Sequence, residues 1–326
     1  MKQAQWIDQG IRLGNRFHYR KKNPWRHNAL NLSIFSAMLA GIGTTIAAGR
    51  HVQHWLYVPI AAAVLGIMFF AMIILVVHEA SHDMFVISYD RDRARRWNRR
   101  FGWLVSIPFG INYRRHWEEG HHTHHIHPLE PDDPQTANLW TGRRLVREIV
   151  LMLVVPGYVL LWNPSRKYKT ERWVGPVNVV FWSSLLAALC MHDAWMSAVA
   201  IVFGFGVLGA LNQIKGSLEH GGPVGFESNR NLRSRTSLFA LRHLLMPFNI
   251  SLHFEHHLNY CVPWYDLGRY HHSLVEATPE PLRAYIYNTR IIDQLMGRVG
   301  TFPEDMRHLV VVDRDESARV AHVIGH

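Results

Sequence analysis

The chain has 326 residues, enough for one large domain or two ordinary ones, and 48% of them are hydrophobic. Its formal net charge of +10 and pI near 9.9 suit nucleic acid, an anionic membrane surface or positive cytoplasmic loops. Two cysteines, Cys190 and Cys261, with no C-x-x-C pattern, exclude a disulfide framework and a cysteine metal site.

In chain order, residues 1–29 form a basic, aromatic segment unlike the short charged region of a cleaved signal peptide. It is expected to lie along a membrane surface or to form a solvated lead-in helix. The mean hydropathy of −0.07 looks too polar for a membrane protein, but the average hides long apolar runs. Residues 30–49 carry no charge, and residues 55–77 form a second uncharged run. About 20 apolar residues in a helix cross a hydrocarbon layer of ~30 Å, so both runs qualify as spans. Only Arg50 to His54 separates them, which predicts a tight hairpin, and Gly41 and Gly43 allow close helix approach.

The middle segment, His78 to Arg172, is hydrophilic apart from Phe101–Ile111 and Ile149–Trp162. Both stretches are too short to span and read as interfacial or buried. A second hairpin follows over 173–191 and 194–214. Residues 303–326 form a charged tail expected to be loosely ordered. Of the 35 Lys and Arg residues, only Arg50 falls in a hairpin turn. The positive-inside rule therefore places both termini and the middle segment in the cytoplasm. The expected architecture is all-α: an integral membrane protein with four transmembrane helices in two hairpins and a cytoplasmic helical cap.

Three histidine clusters fall on that one face: HEASH at His78–His82, HWEEGHHTHHIH at His116–His127 and HFEHH at His253–His257. Neutral imidazole offers a lone pair near physiological pH, which makes histidine the commonest metal ligand. If the second run continues as helix, His78 and His82 share a face at i and i+4. His121, His124 and His125 form H-x-x-H-H, in which i, i+3 and i+4 converge, and His253, His256 and His257 repeat it. His116 and His122 are turned away from that face. Glu79, Glu119 and Glu255 adjoin these histidines and either support them or are solvated. Asp132 and Asp133, in the proline-rich PLEPDDPQ run, either orient imidazoles through the second ring nitrogen or cap a turn.

HEASH also matches H-E-x-x-H, the zinc metalloprotease pattern with Glu79 as base. A zinc protease would leave the other two clusters unexplained. Gly204, Gly206 and Gly209 spell the dinucleotide fingerprint G-x-G-x-x-G, but they lie inside an apolar run with no preceding strand, so helix packing is expected. No flavin or nicotinamide site is legible, and the pattern calls for no nucleic acid.

The set H-x-x-x-H, H-x-x-H-H, H-x-x-H-H, interleaved with two hairpins, resembles the membrane fatty acid desaturase and hydroxylase superfamily. The likeness runs from about Leu30 to His272 and defines an expected catalytic domain of 30–302. It implies that His78, His82, His121, His124, His125, His253, His256 and His257 ligate two iron ions. It also implies a ninth ligand some thirty residues before the last box, where His220 stands in SLEHGG. The reaction implied is an O2-dependent attack on an unactivated C–H bond of a lipid or acyl chain. Desaturation is the expected outcome, with hydroxylation as the alternative. Electrons would come from a separate protein of ferredoxin, cytochrome b5 or rubredoxin type.

Overall fold

The computed structural model describes residues 5–52, 54–131, 133, 139–161, 171–227 and 229–300. The expected tail, 303–326, and Asp132 lie outside them. The chain is helical, with only two short strands among the described residues. It forms two compact units, one of Asn23–His122 with Arg144–Gln213, the other of Met1–Lys22, Thr123–Arg143 and Ile214–His326.

The first of these units carries the apolar helices. Asn23 accepts the backbone N–H of Arg26 and Pro24 occupies the first turn, so helix α2 (Pro24–Ala48) starts there, following α1 (Gln5–Asn15). This is six residues before the apolar run opens, because a cap and not hydropathy sets a helix start. Helix α3 (Tyr57–Ser81) continues past the apolar run through a π-helical stretch, Ile73–His78. Helices α4 (Arg91–Ser106), α5 (Gly120–Ile126) and α6 (Gly142–Val154) fill the middle segment, α5 being preceded by a second π-helical stretch, Tyr113–Glu119. Helices α7 (Val174–Met191) and α8 (Trp195–His220) follow.

Four described helices, α2, α3, α7 and α8, are long and apolar enough to cross a membrane. In α3 72% of the apolar window is buried within the protein, against 6% in α7. A helix apolar all round and unburied needs lipid around it, so α7 faces hydrocarbon while α3 is central. Gly66 of α3 meets Gly204 and Val207 of α8 so closely that an added Cβ would lie 2.4 Å from Val207 Cβ. Thus Gly204 serves helix packing, as small residues do between spans. The Tyr57 hydroxyl donates to Thr45 O at 2.6 Å and Ser197 to Ile46 O at 2.7 Å, tying α2 to α3 and α8. In α6, Val146, Val150, Leu153 and Val154 are exposed on one face while Leu145 and Met152 are buried. That is an amphipathic helix of the interfacial kind.

The second unit is built on α1, on α9 (His253–Leu258), α10 (Leu267–Ala277) and α11 (Glu280–Ile286), and on a parallel pair of strands, β1 (Thr236–Ser237) and β2 (Tyr287–Asn288). Trp6 and Ile7 of α1 are buried with Phe254, Leu258, Tyr270 and Leu274. The rings of Trp6 and Phe254 stack at 6.0 Å, and Asn259 Nδ2 donates to Ile11 O at 3.1 Å. Helix α1 is therefore part of the core that carries the third histidine box.

Candidate metal centre

The end of α3 is anchored from outside its own helix. His27 Nε2 lies 2.6 Å from Met84 O, and Asn31 Nδ2 donates to Phe85 O at 2.9 Å. Asn28 exchanges two hydrogen bonds with Ile87, and Asn98 exchanges two with Val86. These amides satisfy the chain leaving His82 and hold that box in place. The rings of His78 and His82 are 4.9 Å apart, and each is 4.8 Å from the ring of His121. Their ligand nitrogens lie within 4.8 Å of one another, the spacing of a shared metal site. Trp117 packs on His78 and His121, and Glu79 Oε1 lies 3.4 Å from His78 Nδ1.

In the other unit, His124, His220, His253 and His257 likewise bring nitrogens within 4.8 Å of one another. His121 is thus parted from His124: the first joins His78 and His82, the second joins His220. In the second box i and i+3 differ by about 60° around a helix, so the two rings can serve different neighbours. His125 packs on His256 at 4.7 Å, on His257 at 4.4 Å and on Tyr260 at 4.8 Å. In α9 the histidines share one side while Phe254 and Leu258, four apart, enter the apolar core.

Two of the second ring nitrogens, those of His124 and His220, are held by acceptors. His124 Nδ1 lies 2.7 Å from Asp133 Oδ2, which also takes the Leu129 N–H at 2.7 Å. His220 Nδ1 lies 2.6 Å from Arg233 O. His253 Nδ1 lies 3.2 Å from Glu219 Oε1, and Glu219 is paired to Lys215 at 2.6 Å. A carbonyl or carboxylate oxygen only accepts, so Nδ1 of His124 and of His220 carries a hydrogen, and Nε2 is the atom each ring presents to its neighbours. Those two Nε2 atoms are 3.2 Å apart. His257 Nε2 is buried without a hydrogen-bond partner. Burial, reinforced by the neighbouring imidazoles, holds His253 and His257 well below the ordinary histidine pKa, so both rings are neutral. Buried ring nitrogens this close together offer ligand atoms to a cation, and this donor set fits a metal.

Other expected neighbours lie elsewhere. Glu255 is fully buried but takes Thr236 Oγ1 and His271 Nδ1, bracing α9 against β1 and α10. Glu119 pairs with Arg114 and Arg115 on an exposed face. His122 is exposed, and His116 stacks edge-on against Trp117. The sequence reading missed Glu219, Arg233, His271 and Trp117. Of these only Trp117, one helical turn before His121 and inside the box, left a signal.

Apolar helices of spanning length together with clustered, buried imidazoles define a helical membrane protein able to hold metal. The fatty acid desaturase family matches residues 53–289, well over half of the chain and inclusive of all three boxes and His220. The chain belongs to that family, which makes it an oxidoreductase acting on fatty acyl chains. No curated protein matches it.

Proposed function

We propose that the protein is an O2-dependent di-iron desaturase of a lipid or fatty acyl chain, its irons held by His78, His82, His121, His124, His125, His220, His253, His256 and His257. The observation that carries this reading is the approach of His124 Nε2 and His220 Nε2 to 3.2 Å, each ring fixed by an acceptor at its opposite nitrogen. Bound there, non-haem iron with open positions supplies the oxygen chemistry that no side chain can.

The chain's own residues hold and orient. Asp133 and the Arg233 carbonyl fix two imidazoles in one tautomer, and Glu219 sits beside a third. Trp117 shields His78 and His121 on one side. The apolar spans supply the hydrocarbon setting an acyl chain requires. The charge pattern supports cytoplasmic termini and a cytoplasmic metal centre. The same basic face suits an acidic electron-donor protein of ferredoxin, cytochrome b5 or rubredoxin type. Membership of an oxidoreductase family removes the motive for the zinc protease alternative.

Purified full-length protein should carry iron in about twofold excess over chain, the count expected for two ligand groups. Lipids from cells with and without the protein should differ by loss of two hydrogens from an acyl chain. Gain of one oxygen would replace desaturation with hydroxylation, and absence of iron would overturn the reading.

A further inference from the structure

A cleft of about 400 Å³ opens at the start of α2, in the unit of the apolar helices, lined among others by Asn23, Trp25, Ser88, Tyr89, Arg93 and Trp97. Its wall is preformed: Asn28 pins Ile87 through two hydrogen bonds of 2.9 Å, and Asn98 pins Val86. None of the residues lining it is acidic.

The charge beside it is in excess. Helix α4 carries six arginines and one aspartate. Asp83 takes Arg95 and Glu118 takes Arg99, while Arg100 lies over the Trp97 ring at 5.0 Å. Arg91, Arg93 and Arg96 have no acidic partner among the described residues. The nearby acids are Asp90, which caps α4 at the Arg93 N–H, and the first-turn Asp92. Arg93 is thus the cation of the cleft.

The aromatic rim marks its depth. Trp25 is 81% exposed at the first turn of a candidate span, and Tyr89 is 90% exposed on the same cleft. Exposed Trp and Tyr at a span end lie at the headgroup level of a bilayer.

We propose that this cleft seats the phosphate of an anionic phospholipid, with the Arg93 guanidinium as its partner and Trp25, Tyr89 and Trp97 flanking the glycerol region. Guanidinium matches phosphate oxygens in a fork that ammonium cannot. No histidine is among the residues that line the seat, so it is testable without metal or turnover.

Full-length protein in uncharged detergent is titrated with phosphatidylglycerol, phosphatidylcholine or inorganic phosphate, and retained ligand is counted by native mass spectrometry. Phosphatidylglycerol is expected to bind about tenfold more tightly than phosphatidylcholine, and millimolar inorganic phosphate is not expected to displace it. Arg93→Gln should weaken phosphatidylglycerol about tenfold, the size of one charged hydrogen bond. Arg91→Gln, the same charge loss outside the cleft, should leave it unchanged, and Trp97→Ala should weaken it without changing charge. Wild-type affinity in R93Q or W97A, or a loss in R91Q equal to that in R93Q, would overturn the proposal in favour of a diffuse basic surface. Displacement by phosphate would make the cleft a free-anion site, and equal binding of the two lipids would remove the anionic preference.

Discussion

His124 and His220 face each other through Nε2 atoms 3.2 Å apart, while Asp133 and the Arg233 carbonyl hold the hydrogens on the far side of both rings. A metal ion between them would take both Nε2 atoms as ligands. On the proposed reading His220 is therefore a ligand and not a structural histidine. His220→Ala should lower iron from two per chain toward one and abolish turnover, with the protein still inserted in the membrane. Metal analysis of purified protein reads this directly. Unchanged iron content would assign His220 a packing role only.

Asp133 would act on a bound metal through His124. Its carboxylate takes both the His124 ring and the Leu129 backbone, the latter in a left-handed turn with φ of +62°. Asp133→Asn keeps the shape but removes the charge that makes the ring a stronger donor. Metal affinity is expected to fall by about 10–100-fold, the usual cost of losing such a partner. Chelator competition measures the loss, and it should exceed any shift in melting temperature.

Much of the fold could be read from apolar length alone, and the limits of that reading have physical causes. The four spans follow from uncharged runs. Helix α8 outlasts its run and reaches His220 because Lys215 pairs with Glu219 and Ser217 donates to Trp140 O at 2.5 Å, so polar residues stay helical and satisfied. The histidine spacing identified the ligand candidates, but not their partition. Parting His121 from His124 depends on which neighbours each ring meets. The π-helical turns at Ile73–His78 and Tyr113–Glu119 change helical pitch with no residue that marks them. Glu79, Glu119 and Glu255 are ambiguous in the sequence, and Glu219 escapes it, because a lone glutamate reads alike whether it braces a ligand, braces a helix or is solvated.

Metal removal should expose a pH dependence set by His253 and His257. Their folded-state pKa values are held well below the ordinary 6.5, first by burial. Below pH 6.5 the unfolded chain takes up protons that the folded rings refuse, so stability falls as pH falls. Above 6.5 both states are neutral and the dependence vanishes. Iron-stripped protein should therefore melt at lower temperature at pH 5 than at pH 7, with little change between pH 7 and 8. His257→Gln should flatten the slope, because one of the two rings is gone.

Gly66 separates the scaffold from the chemistry. A Cβ there would lie 2.4 Å from Val207 Cβ and 2.7 Å from Gly204 O, and the second is backbone that cannot rotate away. Gly66→Ala should force α3 and α8 apart at a cost of about 1–3 kcal/mol, the range for overpacking a tight interior. Lower yield and a lower melting temperature are expected, read by thermal denaturation in detergent. Because Gly66 sits more than three helical turns before His78, iron per folded chain should stay near the wild-type value. A loss of iron in the folded fraction would mean that span spacing and the histidine groups are coupled more tightly than the local anchoring by Asn28, Asn31 and Asn98 implies.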